Sequence, residues 1–271
     1  MRVVATTTQI GDMAANVGGD RISLNVLLKP NQDAHDFEPQ PSQIRALSQA
    51  DVVLRHGLGL DGYVDKAVGG SGAEVATVTD GITTLAGAGE ETGHPDPHVW
   101  FSVANAKQMV EDIRDALTRA DPAGAAYYAG NATQYLHQLD ASEAQIDDLV
   151  AGVPQACRKL VTNHDFLAYF ANAYGFELVG SVIPSTSTEA AASAQDVAST
   201  VQAIKAQHVP AIFAEASVNP DLIRQVGREA GVKVVSDLYS DSLGPKSSDG
   251  STYIKMMLAD TQKITGALKD C

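Results

Sequence analysis

Short apolar runs rich in β-branched residues alternate with stretches of helical spacing along most of the chain. RVVATTT is followed by a helical pattern from about Ile10; then come ISLNVLL, a helical pattern near Pro41–Gln49, DVVLR and AEVATV. The series restarts with KLVTN, ELVGSVI, PAIFAEA and VKVVSD, again with helical segments between. Such runs, separated by helices, predict βαβ units and parallel sheets. Two series flanking one middle segment predict an α/β fold of two lobes, each with a mainly parallel sheet flanked by helices.

The middle segment has a different pattern. Asp121-Pro122 reads as an N-cap followed by proline at the first helical position, and from there to about Val150 only Gly130 interrupts the helix. Tyr128, Ala132, Tyr135, Leu139, Ser142, Ile146 and Leu149 follow alternating steps of four and three. That spacing draws one stripe along a helix of ~29 residues, roughly 43 Å long. The stripe is core packing, not a cofactor site, and the helix is a strut. The predicted division is a first lobe over residues 1–120, a long linking helix over 121–151 and a second lobe over 152–271.

Composition narrows the function. With 271 residues, 44% of them hydrophobic, the chain can bury a substantial core. The 33 acidic against 19 basic side chains give a net charge of −14, which argues against nucleic acid or an anionic membrane as partner. No run approaches the ~20 apolar residues that span a bilayer. Met1-Arg2 leads straight into the first strand, as expected of a cytosolic chain or of a mature domain restarted at an added methionine.

Cys157 and Cys271 form no CxxC, which excludes a thiolate zinc ribbon. They are either two separate thiols or one disulfide. A cysteine at the last position has no evident packing role, which favours the bridge and an oxidising compartment.

Candidate chemistry lies with the histidines. In ETGHPDPHVWF, Pro95 and Pro97 exclude the helical arrangement that puts two histidines one turn apart. His94 or His98 can therefore bind a metal only from a loop, with partners from elsewhere. His56, His137 and His208 read as exposed or internally satisfied imidazoles. His35 in NQDAHDFEP and His164 in VTNHDFLAYF each follow a strand, one in each half, where open α/β sheets gather their ligand sites. Asp33 and Asp36, Asp96, and Asn163 and Asp165 accompany His35, His98 and His164. Groups of this kind orient metal-bound imidazoles, although turn formation explains them equally well.

These residues also carry a resemblance. The opening from VVATTTQIGDMAANVGGD through HDFEPQPSQIRALSQADVVLRHGLGLDGYVDKAV resembles the zinc/manganese solute-binding proteins that serve bacterial ABC importers. It continues through DPHVWFSVANAKQMVEDI, HDFLAYFANAYGFELVGS and SDSLG…DGSTYIKMM, in the family's order and over nearly the whole chain. The resemblance implies two α/β lobes joined by one long helix, with one metal ion held between them. It implies His35, His98, His164 and a carboxylate near the C-terminus as ligands. Asp237 and Asp241 both fit that last role; the Asp-Ser-Leu triplet ahead of DGSTYIKMM matches at Asp241. The chain is then expected to be a periplasmic, monomeric binding protein and no enzyme, with the membrane permease of an ABC importer and a periplasmic zinc donor protein as partners.

Two departures bear on the metal. Zinc-specific members carry a long histidine- and acid-rich loop before the DPH motif, whereas LAGAGEETGHPDPH is short and offers only His94 with Glu90, Glu91 and Asp96. Manganese-type members tend to have a carboxylate where this chain has His164. Three imidazoles and one carboxylate, closed tetrahedrally at about 2.0–2.2 Å, suit Zn²⁺, while Mn²⁺ prefers more oxygen; one Zn²⁺ per chain is the expectation and Mn²⁺ the alternative. On this reading His94 is a loop residue near the entrance.

A zinc hydrolase is the rival from another class, with Asp241 or Glu215 as general base, but no GxSxG or HExxH accompanies them. SVIPSTSTEAAAS lacks the GxxxxGK[ST] pattern of a phosphate loop and reads as a surface loop capping the helix that contains Asp196 and Val197.

Overall fold

Strands form at all eight predicted runs, in two separate sheets. The computed structural model describes residues 1–271, the side chain of Glu90 excepted. Strands β1 (Arg2–Ala5), β2 (Ser23–Val26), β3 (Val52–Arg55) and β4 (Glu74–Thr77) lie in the order β2-β1-β3-β4. Strands β5 (Lys159–Thr162), β6 (Glu177–Ser181), β7 (Ala211–Glu215) and β8 (Lys233–Leu238) repeat that order as β6-β5-β7-β8. Every pairing is parallel, and each sheet is flanked by helices. Parallel central strands are covered on both faces, so they read as apolar runs without alternation. Strand β7 illustrates this, being buried at every position.

In the first half α1 (Thr8–Gly18) is capped by the Thr7 hydroxyl, and α2 (Pro41–Ser48) and α3 (Tyr63–Val68) follow. Then comes α4 (Val103–Ala120), capped by Ser102. The long helix is α5 (Ala125–Ala151). In the second half come α6 (Ala168–Tyr174), α7 (Ala194–Ala206), α8 (Asp221–Ala230) and α9 (Tyr253–Leu268).

Two details of the long helix depart from the sequence reading. Asp121 makes no side-chain cap; its Oδ2 instead accepts from Arg21 Nη2 (2.7 Å) and from the Tyr128 hydroxyl (2.8 Å). Pro122–Gly124 therefore form a separate 3₁₀ turn, and α5 begins at Ala125. Gly124 is packed so closely against Asp121, Tyr128 and Arg21 that a Cβ would fall within 2.7 Å of each. The predicted stripe is buried from Tyr128 to Ile146, with the Ser142 hydroxyl donating to Leu139 O, but at its end Val150 is buried and Leu149 is not. A strict seven-residue repeat drifts by about 20° per heptad on a straight helix, so three heptads carry the buried line on by roughly one position.

The two halves share one core. A cluster of buried apolar side chains runs from Val3 and Leu54 in the first sheet through Tyr135 and Leu139 of α5 to Leu160 and Phe213 in the second. Helix α9 returns across this seam. The Asp12 carboxylate on α1 accepts from the Tyr135 hydroxyl on α5 (3.1 Å) and from the Tyr253 N–H at the start of α9 (3.0 Å).

Cys157 and Cys271 are bridged, so the residue after α9 is tied to the turn before β5, with Cα atoms 6.0 Å apart. The bridge closes a loop with a sequence separation of 114. In the chain-entropy model a loop of that size contributes about 4–5 kcal/mol. The oxidised protein is expected to show no reactive thiol when denatured, and reduction should lower its melting temperature markedly; thiol counting and thermal melting with and without reductant check both.

Candidate metal centre

The strands of both sheets end facing one another, and four side chains meet there. His35 lies in the segment after β2 and His98 in the one after β4; His164 lies just past Asn163 at the end of β5, and Asp241 follows β8. Each half thus contributes two residues beyond the carboxyl ends of its strands, where open sheets place ligands. Donor atoms of all four lie within 4.8 Å of one another. His98 Nε2 is 3.3 Å from His35 Nε2 and 3.4 Å from His164 Nε2. Asp241 Oδ2 is 3.6 Å from His35 Nε2, and Asp241 Oδ1 is 3.5 Å from His98 Nε2.

A tetrahedron drawn around a metal with bonds of about 2.0–2.2 Å has edges of roughly 3.3–3.6 Å, which matches these spacings. Both oxygens of Asp241 face the imidazoles, so the carboxylate can supply one donor or two. The cluster can hold a divalent cation.

Two of the rings are oriented by buried carboxylates. His98 Nδ1 lies 2.7 Å from Asp96 Oδ1, which also accepts the His98 backbone N–H at 2.9 Å. His164 Nδ1 lies 2.8 Å from Glu215 Oε1. Glu215 is fully buried and accepts from Asn163 Nδ2 (2.9 Å) and the Ser217 hydroxyl (2.7 Å) as well. Each carboxylate draws the ring proton to Nδ1 and leaves Nε2 to the cluster, the usual outer partner of a metal-bound histidine. Asp241 is steadied by the Ala34 N–H on Oδ2 (3.2 Å) and the Ser240 hydroxyl on Oδ1 (3.1 Å).

The charges divide unevenly. Burial alone would lower the His98 pKa, but the Asp96 and Asp241 carboxylates outweigh it and raise it to about 10. His35 goes the other way, to about 4, because burial dominates over the attraction of Asp241. Burial would raise Asp241, yet the three imidazoles hold it well below the usual carboxylate range. Burial, with Asp241 close by, pushes Asp33 up to about 7. A protonated His98 between Asp96 and Asp241 supplies the positive charge that a metal ion would otherwise bring.

The sequence reading brought His35, His98, His164 and Asp241 to one place, and the structure has them together. Asp237 is elsewhere: it is exposed at the end of β8 and pairs with Lys263 Nζ at 3.3 Å. His94 is exposed and lines a cavity of about 290 Å³ that has His35 in its wall, as a residue of the mouth would. His137 and His208 are exposed; His56 is buried, with Nε2 on Pro97 O at 2.8 Å. The escorts are mixed. Asp96 orients its ring, whereas Asp33 accepts the His35 backbone N–H (2.9 Å) and not the ring, and Asp36 is exposed.

Glu215 is the residue whose part was missed, having been read only as a possible base. Its signal was a carboxylate closing the otherwise apolar run PAIFAEA. Its oxygens are committed to His164, Asn163 and Ser217. The Ser/Thr run also differs from a plain surface loop: Ser193 caps α7, but Ser185 and Thr186 are buried. Glu215→Ala is expected to weaken metal binding about 10–100-fold, and Glu215→Gln, which keeps an acceptor, by less. Chelator competition, with circular dichroism to confirm folding, measures both.

Two lobes with parallel sheets, a long linking helix and a cluster of three imidazoles and a carboxylate between strand ends define a metal-binding solute-binding protein of ABC importers. The chain belongs to the zinc-uptake complex component A periplasmic family, whose profile matches residues 3–267. It is 34% identical over 269 residues to the manganese-binding lipoprotein MntA of Halalkalibacterium halodurans, covering 99% of this chain and 88% of the relative. The Mn-bound periplasmic metal binding protein from Candidatus Liberibacter asiaticus superposes with a TM-score of 0.89 at 26% identity, over 98% of this chain and 99% of the other. The periplasmic zinc binding protein TroA from Treponema pallidum also gives 0.89, at 28% identity and over 98% of each chain.

Proposed function

We propose that this chain captures one divalent first-row metal ion through His35, His98, His164 and Asp241 and delivers it to the membrane permease of an ABC importer. The observation that carries this reading is the convergence of three imidazole nitrogens and one carboxylate within 4.8 Å of one another, two residues from each half. Residues 1–120, 121–151 and 152–271 serve as the working division into lobe, strut and lobe. The protein works outside the cytoplasmic membrane, as the periplasmic family name and the lipoprotein relatives suggest. It is a carrier and not a hydrolase, because Asp241 is taken up as a ligand and Glu215 by His164.

Manganese is the cargo we favour. The relative with 34% identity is named for manganese, and a second oxygen from Asp241 would give the higher coordination that Mn²⁺ prefers. Zinc is the second reading, resting on the third imidazole, His164. Affinity in vitro does not choose between them, because an N/O site binds Zn²⁺ more tightly than Mn²⁺ whatever its cargo. Growth does. In a host lacking its own manganese and zinc importers and carrying this chain with its permease, growth should return in manganese-poor medium. The His98→Ala variant should not support it. Rescue in zinc-poor medium alone would overturn the manganese reading, and rescue in neither would overturn the transport reading.

A further inference from the structure

The segments that carry the four cluster residues are held in different ways. That of His98 is pinned: Pro97 O meets His56 Nε2 (2.8 Å), Asp96 O accepts the Tyr169 hydroxyl (2.9 Å), and Trp100 O accepts the Tyr253 hydroxyl (2.7 Å). His164 lies two positions past the end of β5, and its ring rests on Glu215. The Asp241 segment is anchored on both sides. Asp260 accepts the Tyr239 N–H (3.1 Å), Gln9 Nε2 donates to Ser240 O (2.9 Å), and the Leu243 N–H donates to Thr8 Oγ1 (2.7 Å).

The segment around His35 has no comparable anchorage in its own half. Among the described residues, and apart from the Lys29–Gln32 turn and the His35 ring, the hydrogen bonds that leave residues 30–39 all cross to the second half. The Asn31 N–H donates to Leu243 O (3.4 Å), the Ala34 N–H to Asp241 Oδ2 (3.2 Å), and the Thr188 hydroxyl to Asp33 Oδ2 (2.6 Å). The Thr188 bond is the shortest of the three and joins two side chains. Its acceptor also holds the His35 backbone N–H through Oδ1 (2.9 Å), so the pull of Thr188 is passed to His35. Phe37, against Tyr63 at 5.7 Å between ring centroids, gives the segment an apolar pivot in its own half.

His35 is also the way out. Of the four cluster residues it is the one with a partly exposed side chain, at 8%, and the one that lines the 290 Å³ cavity. Thr186, Ser187 and Glu189, from the same loop as Thr188, form another part of that wall.

From this arrangement we infer that Thr188 is a positioning residue: its hydrogen bond to Asp33 latches the His35 segment across the cleft and sets how long the metal stays bound. The inference rests on the proposed ligand role of His35. Metal leaves when the Thr188–Asp33 bond opens and His35 swings out about the Phe37 pivot, while the other three ligands stay in place. Removing the hydroxyl speeds release and leaves the ligand set intact.

The test uses the full chain loaded with Zn²⁺ and mixed in a stopped-flow instrument with excess chromophoric chelator. Thr188→Val should raise the off-rate about tenfold, the effect expected of one hydrogen bond to a carboxyl oxygen, with one Zn²⁺ still bound per chain. Thr188→Ser, which keeps the hydroxyl, should restore the slow rate. Hydrogen exchange in the zinc-bound Thr188→Val protein should rise across residues 31–37 and stay unchanged around His98 and Asp241. An off-rate in Thr188→Val equal to that of the unsubstituted chain would overturn the latch, as would a Thr188→Ser protein as fast as the valine variant. If the unsubstituted chain held no zinc, both the latch and the proposed function would fall; metal bound normally with an insensitive Thr188 would remove the latch alone.

Discussion

His164→Ala should weaken metal binding by at least 100-fold, while His94→Ala changes it by no more than about twofold. Loss of an outer-sphere partner alone typically costs 10–100-fold, so loss of a direct donor costs more. His164 Nε2 stands 3.4 Å from His98 Nε2 inside the cluster, on a ring held by Glu215. Truncation to alanine removes one of the four proposed donors and leaves Glu215, fully buried, without its imidazole partner. His94 is exposed at the rim of the 290 Å³ cavity and, among the described residues, belongs to no group of potential ligands. Competition titration with a chromophoric chelator separates the two variants, and equal small effects from both would refute the ligand assignment.

Acid should release the metal over the whole neutral range. Protonated His98 is favoured in the metal-free cluster, with a pKa raised to about 10 by Asp96 and Asp241 against the opposing effect of burial. The sign follows directly. A raised folded-state pKa means that the proton stabilises the metal-free fold, fully below the unfolded value and progressively less as pH rises through about 10. A metal ion needs the same Nε2 lone pair and must expel that proton. Below about pH 10, therefore, each unit of acidification costs the metal roughly tenfold in affinity, so a change from pH 8 to pH 5 costs at least ~1,000-fold. His35, lowered to about 4 by burial, joins in only near that pH. Calorimetry in buffers of different ionisation enthalpy should find a proton released for each metal bound at neutral pH. A pH-independent affinity between 6 and 9 would contradict this account.

Much of this architecture was legible along the chain, for reasons that also explain the failures. The central strands stood out because parallel strands covered on both faces keep apolar residues on consecutive positions, as β7 does, while the part-exposed edge strands were legible from their β-branched runs between helical segments. The long helix was visible in its stripe, but a strict heptad reading misplaced its last member, since the drift of a straight helix exchanges Leu149 for Val150. Asp121 looked like a cap because Asp-Pro favours one locally; its tertiary partners Arg21 and Tyr128 took the carboxylate instead.

The same division between near and distant partners holds at the site. Asp96 could be assigned to His98 because both lie in one turn, and Glu215 could not be assigned to His164 because only the pairing of β5 with β7 brings them together. Asp33 is close to His35 in sequence, yet its carboxyl is turned to the backbone and to Thr188, in the other half. The metal's identity was the least legible feature. Three imidazoles point to zinc, whereas two available oxygens on Asp241 and a manganese-named relative point to manganese.

The ligand set decides the account most directly, and anomalous diffraction from crystals of the zinc-loaded protein, collected on either side of the zinc absorption edge, reads it without substitution. One peak per chain is expected between the strand ends, about 2.0–2.2 Å from the Nε2 atoms of His35, His98 and His164 and from the Asp241 carboxylate. A peak at His94 or on the acidic surface, with none among these four residues, would contradict it.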